Sequence, residues 1–472
     1  MRKDIIGRKE ALHQLERCEA EKEATLLVVT GRRRIGKTFL INNYFNNEFD
    51  FKLTGDFDAQ KEEQLTYFIN EYNRKTGKNE TQPSNRINAF ELLRKYIDGI
   101  AKEKKKIIFF DEFPWLDNHA SGFLNAFVHF RNDYLVTVEN LLFIICGSAS
   151  SWIEDKIIKN KGGLYNRHFM TIKLEQFTLK ETEEYLLLRG IEWSRYDIAL
   201  AYMILGGVPY YLRLLDSSKS LTTNIDELFF KKNASLADEF ALLFRTLFSN
   251  SSQYKTIVEL LSDHKNGLTR DEIAKKLSLL PNGDLTEKLE NLEITGFLKK
   301  YELRNGRKRV AYRLSDYFTM FYLRFVAQNK IENFWSKSMD NQRVVVWKGL
   351  MFETLCFDNI EAIKKHLGIG AVITNEFSWS YHGDEDTDGT QIDMLIERKD
   401  RVTNICEMKF VSDLFSFEKD DYLKLSSDKE TYRKITNSKH TLETTLITTY
   451  GLKKGKYSNY INSVITLDDL FE

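Results

Sequence analysis

The chain has 472 residues, room for about three domains, and its 42% hydrophobic and 13% aromatic content excludes wholesale disorder. Lysine plus arginine and aspartate plus glutamate both total 69, so global charge announces neither a nucleic acid nor a membrane, and any such surface is local. The four cysteines have no CxxC spacing, no apolar run is long enough to span a bilayer, and the amino terminus lacks a signal-peptide core, so a cytoplasmic protein without a membrane partner is expected.

The first 180 residues alternate short apolar runs with helical patterns, as stacked strand-helix units of an α/β sheet do. Strands are expected at 25–30, 51–54, 106–110, 141–146 and 171–174. Residues 181–250 read as helical. Residues 251–330 read as three helices and a hairpin. The last stretch, 331–472, reads as one helix near 347–365 and then strands around 371–379, 391–397 and 402–410. With only 4 prolines and no Gly/Ser-rich linker, these units are expected to pack against one another.

Gly31-Arg-Arg-Arg-Ile-Gly36-Lys37-Thr38 fits G-x-x-x-x-G-K-[ST], with the run TLLVVT entering it and the amphipathic TFLINNYF leaving it. Its glycines let backbone N–H groups curl toward phosphate oxygens at a positive helix end. Lys37 is expected to reach the β- and γ-phosphates, and Thr38 to ligate Mg²⁺. Gly31, Arg34, Ile35, Gly36 and Phe39 complete this expected nucleotide-binding set. The run at 107–110 delivers Asp111 and Glu112 to a strand end, where open α/β sheets bind ligands. There Asp111 would hold Mg²⁺ and Glu112 would polarise a water. Ser148, after the buried run LLFIIC, is a candidate polar sensor, and Arg167 a candidate finger; a plain loop serine and a surface arginine stand beside those readings.

Together with Ile6-Gly7-Arg8-Lys9-Glu10, FFDEFPWLD, CGSASSW and Gly206-Gly207-Val208-Pro209-Tyr210, that loop makes the chain resemble the archaeal/bacterial ATPase family. This family is related to the AAA+ signal-transduction ATPases. The resemblance implies an N-terminal P-loop NTPase parallel sheet (1–180) with a helical lid (181–250). It further implies a winged-helix middle domain (251–330) and a C-terminal α/β restriction-endonuclease-like domain of the PD-(D/E)XK type (331–472). It also implies that Ile6–Arg8, with Gly7 and Arg8, flank an adenine and that Pro209 in the lid presses on the base or senses nucleotide state; a helix start and a helix-breaking turn are the plain alternatives.

In the middle segment, Thr269 with Glu272 three residues on forms a capping-box pattern, and Asn305-Gly306 signals a type I′ hairpin. The hairpin is basic (Lys299, Lys300, Arg304, Arg307, Lys308, Arg309). The helix 284–295, which would enter a major groove, carries Asp284, Glu287, Glu290 and Glu293 against Lys288 alone. An acidic helix is repelled by phosphate walls, so a scaffold role is expected of it, with the wing left to touch a backbone.

Read as a hairpin turning near 399–400, the sequence QIDMLIERKDRVTNICEMKF sets Asp393 nearly opposite Glu407 and Gln391 nearly opposite Lys409. Alternation puts Asp393, Glu407 and Lys409 on one face and Ile392, Met394, Ile396, Cys406, Met408 and Phe410 on the other. Facing carboxylates repel, and a divalent cation between them relieves this. The pattern resembles D-x(n)-E-x-K of the nuclease-like superfamily, whose additional helical carboxylate Glu353 matches. Asp384-x-Asp386-x-Asp388-Gly389 imitates a calcium loop, but Leu395 stands where a bidentate Glu is required.

The expected function is an ATP-binding, ATP-hydrolysing protein with Mg²⁺, joined to a metal-dependent (Mg²⁺ or Mn²⁺) nuclease-like domain. The alternative is a nucleotide-dependent regulatory switch whose nuclease-like domain only recognises nucleic acid or protein. DNA or RNA as a partner, self-association through the ATPase domain, and ATP against GTP are left open by the residues.

Overall fold

The computed structural model describes residues 5–117, 121–159, 169–248, 250–303, 309–329, 331–384 and 389–472. Five parallel strands, β1 Thr25–Thr30, β2 Phe51–Thr54, β3 Lys106–Asp111, β4 Leu141–Cys146 and β5 Phe169–Lys173, form one sheet in the order β2-β3-β4-β1-β5. β1 and β4 are buried along their whole length because helices cover both faces, which is why they read as unbroken apolar runs. Alternation splits their side chains between two cores: Leu26, Val28, Phe143 and Ile145 on one face, Leu27, Val29, Leu142 and Ile144 on the other. Chain order reverses beside β1, and the crevice there, outside the strands' C-terminal ends, receives both the 31–36 loop and the acids after β3.

The lid begins at Phe177, whose N–H donates to Gly207 O at 2.7 Å. A Cβ on Gly207 would lie 2.0 Å from Phe177 O, so only glycine permits this approach. Its first long helix, Leu179–Leu188, starts at a reciprocal capping box of Thr178 and Glu181.

Next come helices Ser251–Ser262, Arg270–Leu277 and Gly283–Ile294, with β6 Leu268–Thr269, β7 Leu298–Leu303 and β8 Arg309–Leu314 ordered β6-β8-β7. The box of Thr269 and Glu272 is formed. Residues 304–308 lie outside the described residues, and with them the Asn305-Gly306 turn and half of the basic hairpin. On the acidic helix, buried Lys288 is paired with Asp284, so its lone cation does not face outward.

The expected single helix at 347–365 is two, Gln342–Asp358 and Ile360–His366, because Asn359 leaves helical geometry between them. Beyond lie β9 Thr374–Tyr381, β10 Thr390–Arg398, β11 Val402–Lys409, β12 Thr441–Thr448 and β13 Ser463–Thr466, in the order β13-β12-β11-β10-β9. β9, β10 and β11 are antiparallel neighbours; the helix Lys419–Thr436 then crosses over so that β12 pairs parallel with β11. A register shift between Ile392 and Leu395 breaks the alternation in β10. Ile392 therefore packs with Leu395 and Ile405, not with Met394, Ile396, Cys406 and Met408 as strict alternation had it.

One apolar cluster runs from Phe177 in the lid through the middle segment to Phe471, so the last three units do pack together. Its densest part is aromatic: Phe321, Phe325, Trp335 and Trp347 meet edge to face with centroids 5.2–5.9 Å apart.

Candidate functional site

The loop after β1 is shaped by its glycines. Gly31 has φ +138°, and a Cβ there would meet Leu174 O at 2.2 Å; Gly36, at φ +89°, turns the chain into the helix Lys37–Tyr44. Lys37 is buried, and its ammonium donates to Gly31 O at 2.8 Å and Arg32 O at 2.9 Å. Burial lowers the Lys37 pKa, opposed by Cys146, Glu112 and Asp111. Thr38 Oγ1 donates to Asp111 Oδ1 at 3.0 Å, bringing a hydroxyl and a carboxylate together from two strands' ends. That pair is a hard oxygen donor set of the kind Mg²⁺ takes beside a polyphosphate. Ile35 is buried, whereas Phe39 is 52% exposed.

Glu112 directly follows β3 in the left-handed region, φ +44°. Its carboxylate accepts from Ser148 N at 3.0 Å and Ser148 Oγ at 2.9 Å. Ser148 is thus a clamp on Glu112, a contact its position at a strand end did not disclose. Ser150 was missed altogether: its hydroxyl braces the loop by bonding Gly31 O at 3.1 Å. Arg167 lies outside the described residues.

Gly7 and Arg8 sit at the edge of the same end. Arg8 N donates to Glu181 Oε1 at 2.8 Å, and its guanidinium lies 4.5 Å above the Phe177 ring while bonding Glu175 O and Ile35 O. A Cβ on Gly7 would meet the Glu181 carboxylate at 1.9 Å. Pro209 opens a short helix, and the next residue, Tyr210, bonds Arg34 O through its N–H at 3.4 Å.

At the C-terminal sheet, Met394 pairs with Cys406, so the next pair of that register is Asp393 and Glu407. Lys409 Nζ lies 2.6 Å and Lys424 Nζ 3.3 Å from Glu407 Oε1, and Lys265, reaching across from the middle segment, lies 2.8 Å from Glu353 Oε2. Burial acts to raise Glu407, but the two lysines overcome it and hold its carboxyl below the usual range. Among the described residues no cation is bonded to Asp393 in this way, and burial, with Glu353 and Glu407 nearby, pushes its carboxyl up to about 6. Among the described residues no three His, Cys, Asp or Glu side chains gather as a metal site. Glu353, Asp393 and Glu407 are therefore brought into one neighbourhood but not into one ligand set, and lysines pair with two of them. A cavity of about 460 Å³ opens beside Asp393, Lys424 and Asp428.

The raised Asp393 pKa makes stability depend on pH. Against an unfolded carboxyl near 3.9, the folded chain binds the extra proton between about pH 4 and 6, so stability falls as pH rises through that window. The difference is on the order of 2–3 kcal/mol, and Asp393→Asn should flatten it in denaturant unfolding followed across those pH values.

Residues 5–215 match a family described as an ATPase domain predominantly from Archaea. An uncharacterized protein of Methanocaldococcus jannaschii is 26% identical over 335 residues, 69% of each chain. An uncharacterized ATP-binding protein of the same organism is 46% identical over 44 residues, 9% of this chain and 75% of that one. The Walker-type ATPase of Pyrococcus abyssi shares the fold, with a TM-score of 0.50 at 18% identity over 69% of this chain and 97% of that one.

Two arginines of the 31–36 loop reach carboxylates far along the chain. Arg32 pairs with Asp316, at the start of the helix Tyr317–Phe321, and Arg34 lies 2.7 Å from Glu239 in the lid and 4.0 Å over the Tyr210 ring. Both carboxylates are buried, their side chains 1% and 2% exposed. Burial raises Glu239, opposed by Arg34 and by the Tyr211 hydroxyl, which donates at 2.9 Å. Neither partner was legible in the sequence, since 284 residues separate Arg32 from Asp316.

Proposed function

We propose that the chain hydrolyses ATP with Mg²⁺ and uses nucleotide occupancy to position the units beyond residue 180. The observation that carries this is the 3.0 Å contact of Thr38 with Asp111, beside buried Lys37 and next to Glu112. Lys37, Thr38 and the loop N–H groups bind the triphosphate; Asp111 and Thr38 hold the cation, which neutralises phosphate charge; Glu112 orients water. Calorimetric titration with ATP, ADP and GTP, together with phosphate release, tests it, and absence of nucleotide uptake overturns it.

Both Ser148 bonds end on Glu112 Oε2, so they restrain the carboxylate and leave Oε1 to meet water. Ser148→Ala removes one charge-assisted hydrogen bond and leaves the backbone one, so basal ATP turnover should rise about fivefold in a phosphate-release assay. A fall instead would return Ser148 to the sensor role its position suggests.

The middle unit's three helices with β6-β8-β7 support a winged-helix reading. The antiparallel β9-β10-β11 followed by a helical crossover to parallel β12 supports a nuclease-like reading of 331–472. A second reading makes that sheet a non-catalytic nucleic-acid recognition module, and the cations held on Glu353 and Glu407 favour it. Incubation of full-length protein with DNA or RNA and Mg²⁺ or Mn²⁺ separates the two: cleavage lost in Asp393→Ala supports the nuclease, and binding without cleavage supports the module. Light scattering with and without ATP tests self-association.

No helix among the described residues is long and apolar enough to cross a membrane.

A further inference from the structure

Three tyrosines of the C-terminal unit cluster on its surface, with Tyr457 stacked on Tyr422 and on Tyr460 and the Tyr422–Tyr460 pair tilted. Tyr422, on the helix Lys419–Thr436, lies 5.5 Å from Tyr457 and 4.2 Å from Tyr460, and Tyr457 lies 6.4 Å from Tyr460. Tyr422 and Tyr457 rest on the small core of Leu425, Phe417 and Ile405, but Tyr460 is 50% exposed, so the outer face of the stack is open.

The loop carrying two of them is anchored at both ends: Phe415 N donates to Gly451 O and Lys453 N to Phe415 O, each at 2.9 Å, and Ser458 Oγ bonds Gly455 O at 2.9 Å. It also carries Lys453, Lys454 and Lys456, all exposed, with the Lys456 ammonium 5.4 Å over the Tyr457 ring. From Thr444 to Leu467 the chain has no acidic residue, and among the described residues none of the three lysines is in an ion pair. Glu418, Asp420 and Asp421 lie at the start of the tyrosine-bearing helix, where Asp421 accepts from Glu418 N, and Asp197, Asp413 and Asp468 act on Tyr450 at the start of the loop. The surface belongs to the same unit as the candidate C-terminal site: Lys409 is level with Thr448, two residues before Tyr450, and Lys424 of the tyrosine-bearing helix bonds Glu407.

From an open aromatic stack bordered by unpaired lysines we infer that the 450–460 loop, with Tyr422, binds single-stranded nucleic acid, whose bases lie on Tyr460 and whose phosphates meet Lys453, Lys454 and Lys456. Stacking needs unpaired bases with free faces, and lysines supply sequence-blind phosphate attraction. The inference rests on reading 331–472 as a unit that handles nucleic acid.

Fluorescence anisotropy of labelled oligo-dT and oligo-U, with a duplex of equal length, tests it on the full chain. Single strands of either sugar should bind more tightly than the duplex. Tyr460→Ala should weaken binding by roughly five- to hundredfold, and Tyr460→Trp, which keeps a stacking face, should retain it. Replacing the three lysines by alanine should lower the slope of log affinity against log salt by about 2. Wild-type binding that survives all these substitutions, or that favours duplex, overturns this surface and leaves the nucleic-acid reading standing. Wild-type protein that binds no nucleic acid overturns both.

Discussion

Lys37→Ala should lower ATP turnover at least a hundredfold, the scale on which removing one preorganised charge donor acts in a water-excluded site. The ammonium is buried, and its partners are two backbone carbonyls of the same loop, Gly31 and Arg32, not a carboxylate. A side chain held by neutral acceptors is free to exchange them for phosphate oxygens, a stronger charge-assisted contact. Glu112→Gln divides the effect. It keeps the loop intact, so ATP should still bind in calorimetry while phosphate release disappears. Normal hydrolysis by Lys37→Ala would remove the ATPase reading at its root.

Asp316→Asn should destabilise the chain by about 3 kcal/mol, measured as the denaturant midpoint, and adding Arg32→Met should recover most of the loss. Asparagine caps a helix as well as aspartate, so the N-cap bond from Thr319 N, 3.0 Å in this structure, survives the change. What is lost is the carboxylate paired with a guanidinium that lies within the fold, 5.4 Å from the Phe297 ring, and whose Nε has no hydrogen-bond partner among the described residues. A buried charge stripped of its counterion is costly, whereas removing the charge as well leaves an apolar contact. If the double variant stays as unstable as Asp316→Asn, the pair is not what holds the loop to the helix.

How far the sequence spoke depended on the range of the physics. The phosphate loop, the strands before it and beside it, and the acids after β3 follow from local rules: glycine at positive φ, apolar runs in a covered sheet, a capping box within four residues. Three features escaped. Asp316 and Glu239 carry no local mark, because a buried carboxylate in a long chain is known only by the arginine folded against it. Ile392 changed faces because a one-residue irregularity resets a period-2 pattern, and no composition signal announces it. Ser148 stood where expected, but which carboxylate its hydroxyl meets depends on the left-handed turn at Glu112.

The unbroken apolar cluster from Phe177 to Phe471 has a mechanical consequence. A body packed that densely does not flex in its middle without opening voids, so it swings whole. The Arg32–Asp316 and Arg34–Glu239 pairs join that body to the phosphate loop, so a tilt taken up there carries Phe177, Trp347 and Phe471 together.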